Sequence, residues 1–216
     1  MMSKGRSIAV SLTLAMALTL TLAGAAAATS LNIANASFEA DPLTIGAWDY
    51  SVPDWNQNGG ANGTWYTSSA YFYVPPPDRD KVAWVAYNPI SQTLTDTLVA
   101  NTTYTLKVSL GERYDWTHFP GYTVALYAGN NLLASDNSIV PTPGYWKDDT
   151  VTFHSTASTP GLGENLVIML SSNDVNTYFD NVRLDASPNA VPIPAAAWLL
   201  GSGLLGLVGL RRFRKS

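Results

Sequence analysis

The chain has no cysteine and only two histidines, His118 and His154, among its 216 residues. Without thiols there are no disulfide staples, no cysteine nucleophile and no cysteine-bound zinc. An exported fold of this kind must rest on its core or on a bound metal. The histidines lie far apart and read as structural side chains. No H-E-x-x-H, no G-x-S-x-G and no phosphate-binding glycine loop occurs. Helical periodicity is also missing: between the two ends of the chain, no stretch longer than about ten residues repeats its apolar positions every 3.6 residues. Positive charge is scarce in the middle. All 16 acidic residues but only six of the 12 basic ones lie between residues 29 and 190, which leaves that portion at −10. Such a surface is poorly suited to nucleic acid.

What is present divides the chain in three. Met1 to Ala28 reads as a secretory signal peptide for signal peptidase. Lys4 and Arg6 form its basic start, Ile8 to Leu22 its apolar stretch, and Ala25 to Ala28 its small-residue cleavage region. Residues 29–187 form one domain, and 188–216 a linker and tail. In the tail, Val191 to Leu210 is uncharged and, as a helix, spans about 30 Å, the thickness of a bilayer core. Arg211, Arg212, Arg214 and Lys215 follow as a basic stop. By the positive-inside rule that end stays cytoplasmic and the domain lies outside. The expected location is an inner-membrane-anchored precursor, then the cell surface or extracellular matrix.

The motif Val191-Pro192-Ile193-Pro194-Ala195, the glycine-rich apolar run and the arginine cluster resemble the PEP-CTERM sorting signal, in its VPLPA-type variant. The resemblance implies processing by an exosortase and a link to exopolysaccharide.

The middle portion reads as β throughout. Thr103 to Gly111 places Tyr104, Leu106, Val108 and Leu110 on one face. Lys81 to Tyr87, Ile90 to Leu98, Trp146 to Ser155, Leu166 to Ser172 and Thr177 to Asp185 are further strands, and Leu31 to Glu39 is a first short one. Tyr122 to Ala128 and Asn131 to Ser135 form a hairpin about the Gly129-Asn130 turn. The prolines of Val74 to Asp80 make that stretch a loop. About seven to nine strands imply an all-β sandwich or jelly roll.

Asn35-Ala36-Ser37-Phe38-Glu39 near the start and Tyr178-Phe179-Asp180-Asn181-Val182-Arg183-Leu184 near the end are similar to the ends of galactose-binding-like jelly rolls, which include many carbohydrate-binding modules. The resemblance implies a structural calcium between Glu39 and Asp180. Alternatively, Glu39 caps a turn and Asp180 pairs with Arg183 or water. Sugar rings stack on flat aromatic faces beside polar side chains. Trp55, Trp65, Tyr66, Trp116 and Trp146 sit in such mixtures and are the candidate ligand platforms, while Trp84 is expected in the core. Asp148 and Asp149 point to opposite faces of a strand and do not form a catalytic pair. The expectation is therefore a non-enzymatic, exported surface or biofilm-matrix protein that binds carbohydrate. A purely structural or adhesive protein and a polysaccharide-cleaving enzyme are the alternatives.

Overall fold

Alternating apolar and polar residues build the longest strands. The computed structural model describes residues 27–57, 59, 61–116 and 118–189. The expected leader up to residue 26, the Val191–Ala195 motif, the apolar run and the basic cluster lie outside the described residues. Among the described residues there are eleven strands and no helix. They are β1 Thr29–Ser30, β2 Asn56–Gln57, β3 Ala61–Tyr66, β4 Lys81–Ala86, β5 Ile90–Thr97, β6 Thr102–Gly111, β7 Tyr122–Ala128, β8 Asn131–Asp136, β9 Trp146–His154, β10 Asn165–Ser172 and β11 Thr177–Pro188. One sheet runs β3-β4-β11-β6-β9, with β1 paired to β11. The other runs β2-β5-β10-β7-β8. The chain is an all-β sandwich, as its periodicity requires.

The core lies between the sheets. Leu106, Val108 and Leu110 of β6 and Phe179, Val182 and Leu184 of β11 meet Val124 and Leu126 of β7 and Leu166, Ile168 and Leu170 of β10. The β7–β8 hairpin forms as expected, with Gly129 at φ 53° in its turn. Leu31 to Glu39 is not a strand. Asn35 and Phe38 take positive φ, and the Asn35 side chain accepts from the Ala40 amide while donating to the Pro53 carbonyl. Those local bonds compete with a ladder and win. Between Trp48 and Tyr73 the strands are the two-residue β2 and the six-residue β3.

Burial of β4 is continuous rather than alternating. Ala83 and Val85 enter the central core. Val82 and Trp84 point the other way, into a second apolar cluster with Trp65, Phe72 and Tyr178. Trp84 is thus buried, but outside the inter-sheet core.

One polar pair lies inside the seam where edge strands β8 and β9 meet. Asp149 is 2 % exposed, and Asp136 and the Tyr122 hydroxyl stand beside it. Asp148, its neighbour, faces out to Arg183 at 2.9 Å. Burial, then the charge of Asp136, pushes the Asp149 carboxyl up to about 6. Asp136 is held lower despite its own burial, because the Ser138 amide and hydroxyl donate to it. Below about pH 6 Asp149, rather than Asp136, carries the proton of this pair. The folded state therefore keeps a proton that the unfolded chain releases near 3.8, and stability falls as pH rises from there through about 6. Asp149→Asn keeps the shape without titrating. Between pH 4 and 7 the native chain should lose on the order of 2–3 kcal/mol more than this variant in urea unfolding. Parallel pH profiles would dismiss the proton on Asp149.

An aromatic cavity as candidate active site

The second apolar cluster is covered from outside by loops, and the cover is incomplete. A cavity of about 350 Å³ remains. Its floor is sheet: Ala61 and Trp65 of β3, Trp84 of β4 and Tyr178 of β11. Its rim is the segment 46–51, which carries Trp48 and Tyr50. That segment runs along β3. The Gly46 amide donates to the Tyr66 carbonyl, the Tyr66 amide to Ala47, and the Asp49 amide to Thr64, at 2.9, 2.9 and 3.1 Å. The Trp84 indole N–H donates to the Asp49 carbonyl at 3.1 Å. Gly63 permits this approach, since a Cβ there would collide with the same carbonyl. Trp48, Tyr50 and Trp84 meet edge to face, with centroids 5.3 to 6.0 Å apart.

The far wall holds Tyr71, Arg113 and Asn176. Arg113 follows the end of β6. Its guanidinium lies 4.1 Å from the Tyr71 ring centre, 5.2 Å from Trp116 and 5.5 Å from Trp65. Asp115 accepts from its Nε and Nη2 at 2.9 and 2.6 Å. Burial opposes the charge, but Asp115 and the Tyr178 hydroxyl outweigh it and hold the guanidinium ionised. Burial also raises Tyr178, against the pull of Arg113, so its phenol stays protonated at neutral pH. Among the described residues no carboxylate lines the cavity.

Of the five aromatic residues expected to meet a ligand, the structure brings two to this place. Trp65 lines the cavity and Trp116 packs on Arg113. Trp55 belongs to the central core, 5.4 Å from Phe38. The Tyr66 hydroxyl donates to Asp80. Trp146 stacks on Phe72 at 4.9 Å, against the face of Gly111. Trp48, Tyr50, Tyr71, Trp84, Arg113, Asn176 and Tyr178 were not on the sequence-based list of ligand residues. Three of them, Arg113, Asn176 and Tyr178, are set by strand ends. Arg113 follows β6, Asn176 precedes β11 and Tyr178 is its second residue, so pairing of β6 with β11 is the signal that unites them.

The two acids expected to hold a metal converge on the loop before β4. Glu39 accepts from the Asp80 and Lys81 amides at 2.9 and 2.7 Å and pairs with Lys81 Nζ at 3.1 Å. Asp180 accepts from the Asp78 amide at 2.8 Å and from Asn181 at 2.6 Å. A bulge after Asp180, with Asn181 at φ 52°, leaves both Asp180 and Val182 buried. Burial pushes Asp180 up to about 7, and the charges of Asp78 and Glu39 add to the rise. Arg183 does not neutralise it, being paired with Asp148. Among the described residues no group of three or more histidine or acidic side chains is arranged to hold a metal. The two carboxylates therefore fit calcium only if backbone oxygens supply most of its ligands.

The HpiC1-like family, described as HpiC1 cyclase, matches residues 29–185. The Stig cyclase Fisc from Fischerella sp. TAU, in complex with (3Z)-3-(1-methyl-2-pyrrolidinylidene)-3H-indole, superposes with a TM-score of 0.70 at 30% identity, over 76% of this chain and 100% of its own. A cyclase from Fischerella sp. TAU in complex with 4-(1H-indol-3-yl)butan-2-one gives 0.69 at 31% identity, with the same coverage. The apo form of a cyclase from Fischerella sp. gives 0.69 at 30%, over 76% and 98%. Among curated proteins none matches. These findings correct the reading of a non-enzymatic matrix protein with exosortase and exopolysaccharide as partners, and the assignment to the PEP-CTERM proteins. The physical reason is that the tryptophans do not form an open sugar platform: Trp55 and Trp65 are each only 6 % exposed, one in the core and one walled into a cavity. The chain belongs to the HpiC1-like cyclase family.

Proposed function

We propose that the chain is a cyclase that closes rings on small indole-bearing molecules held in the aromatic cavity. One observation carries this reading: the tryptophan- and tyrosine-walled cavity lies in a chain 31% identical, over the full length of the other, to a cyclase that binds 4-(1H-indol-3-yl)butan-2-one. The cavity volume sits at the small end of the roughly 300–1,000 Å³ usual for ligand sites. Ring closure joins two parts of one molecule, so holding the chain folded over its indole supplies much of the acceleration. The faces of Trp48, Trp84 and Tyr50 suit a flat π system and stabilise positive charge that develops as that system reacts. Tyr178, held protonated by burial, serves as a hydrogen-bond donor rather than a base.

Glu39 and Asp180 form a calcium clip in this reading. It ties the loop before β4 to the last strand, which carries Tyr178. The domain, residues 29–187, is exported by its leader and retained at the membrane by the run from Val191 to Leu210.

Calorimetric titration with 4-(1H-indol-3-yl)butan-2-one should show saturable binding. Trp48 is half exposed, so Trp48→Ala should leave the melting temperature unchanged and weaken binding about three- to tenfold. Absence of any binding at millimolar ligand would end the reading. Calcium at a hundredfold excess over its Kd should stabilise the native chain by about 3 kcal/mol, and Asp180→Asn should abolish that gain. Identical melting in calcium and in chelator would remove the clip. Deleting residues 191–216 should move the protein from the membrane fraction to the released fraction; unchanged fractionation would count against anchoring.

A further inference from the structure

The cavity is not uniformly apolar: among the described residues its lining includes one cation, Arg113. A guanidinium carries five N–H donors in one plane. Asp115 occupies one edge of Arg113, through Nε and Nη2. Tyr71, Trp116 and Trp65 surround the plane at 4.1, 5.2 and 5.5 Å. A guanidinium that is both forked and stacked has little freedom left. Of its other donors, one faces the Tyr178 hydroxyl and the rest border the cavity beside Asn176.

The charge balance decides what those donors can take. Asp115 compensates the formal charge of Arg113, so the pair offers N–H groups with no net charge in an aromatic setting. A carboxylate there would meet a cation already neutralised by Asp115 and would be repelled by that acid. A hydrocarbon side chain would leave the donors unpaired, which is costly when they lose water. A ketone or amide oxygen satisfies them without adding charge.

We propose that Arg113 is a specificity-determining residue that binds a neutral carbonyl oxygen of the ligand, so that this chain takes carbonyl-bearing indoles in preference to the matching hydrocarbons and acids. The inference rests on the indole-cyclase reading above and names the substrate class for that same cavity.

The test measures Kd for three ligands of one skeleton: 4-(1H-indol-3-yl)butan-2-one, 3-butylindole and 4-(1H-indol-3-yl)butanoic acid. The full chain should bind the ketone at least about tenfold tighter than either of the others. Arg113→Met combined with Asp115→Asn removes the donors without stranding a carboxylate, and should bring ketone and hydrocarbon within about twofold of each other. If that variant does not fold, the ratios in the native chain decide alone. Equal binding of ketone and hydrocarbon by the native chain would overturn the role of Arg113 while leaving the indole site standing. Tighter binding of the acid would overturn the neutral-carbonyl assignment. No binding of any of the three would overturn the site and this inference together.

Discussion

Strand β4 must be dry on both sides. Its inward residues, Ala83 and Val85, belong to the space between the sheets, while Val82 and Trp84 project from the outer face. In a sandwich the outer face of a sheet is ordinarily left to water. Here it carries Trp65, Trp84 and Tyr178, three large aromatic groups whose exposure would be costly. Loops must therefore cover it, and they come from three places: the 46–51 segment, Tyr71 with Phe72, and the Arg113–Trp116 turn. Flat rings packed against a twisted sheet do not fill space completely. The gap between floor and cover is the cavity, so the site follows from the need to bury one strand twice.

The same cover explains where polar groups were admitted. Backbone segments that lie over a sheet need hydrogen-bond partners. The 46–51 segment takes them from β3 and from the Trp84 indole N–H. The loop from Ala34 to Asp54 takes them from Gln92, which accepts from the Ala34 amide and donates to the Ala34 and Asp54 carbonyls. Asp180 anchors the loop before β4 through the Asp78 amide, and Glu39 anchors its end through Asp80 and Lys81. Asp180 and Glu39 thus hold one loop down onto the sandwich. Asp149 is different: it joins the two sheets at their edge, and its high proton affinity is the consequence of facing another carboxylate out of water.

Strand positions were legible because they depend on local period. Tyr104, Leu106, Val108 and Leu110 alternate with polar residues, and β6 forms where they do. The hairpin turn at Gly129 was legible for the same reason. The resemblance to other jelly rolls pointed to Glu39 and Asp180, and each accepts backbone amides from residues 78 to 81. The cavity was not. Trp48, Trp84, Arg113 and Tyr178 lie on four separate segments, and only the antiparallel pairing of β3 with β4 and of β11 with β4 and β6 brings them together. Nor does tryptophan alone distinguish a platform from a wall. Trp55 and Trp65 have similar polar neighbours in sequence, yet one fills the core and the other lines the aromatic cavity.

The chemistry was hidden for a deeper reason. Nucleophiles, metals and phosphates demand particular residue types at particular spacings, and their absence was read as absence of catalysis. Intramolecular ring closure makes no such demand. It needs a shape that folds the substrate, aromatic faces where positive charge develops, and a few donors that keep their protons. All of these are ordinary components of a packed sandwich. What converts packing into a site here is backbone placement. Without a side chain at Gly63, the Asp49 carbonyl can reach the Trp84 indole and hold Trp48 and Tyr50 at the rim. A single missing Cβ, which carries no chemistry of its own, thereby lets the rim of the cavity lie against its floor.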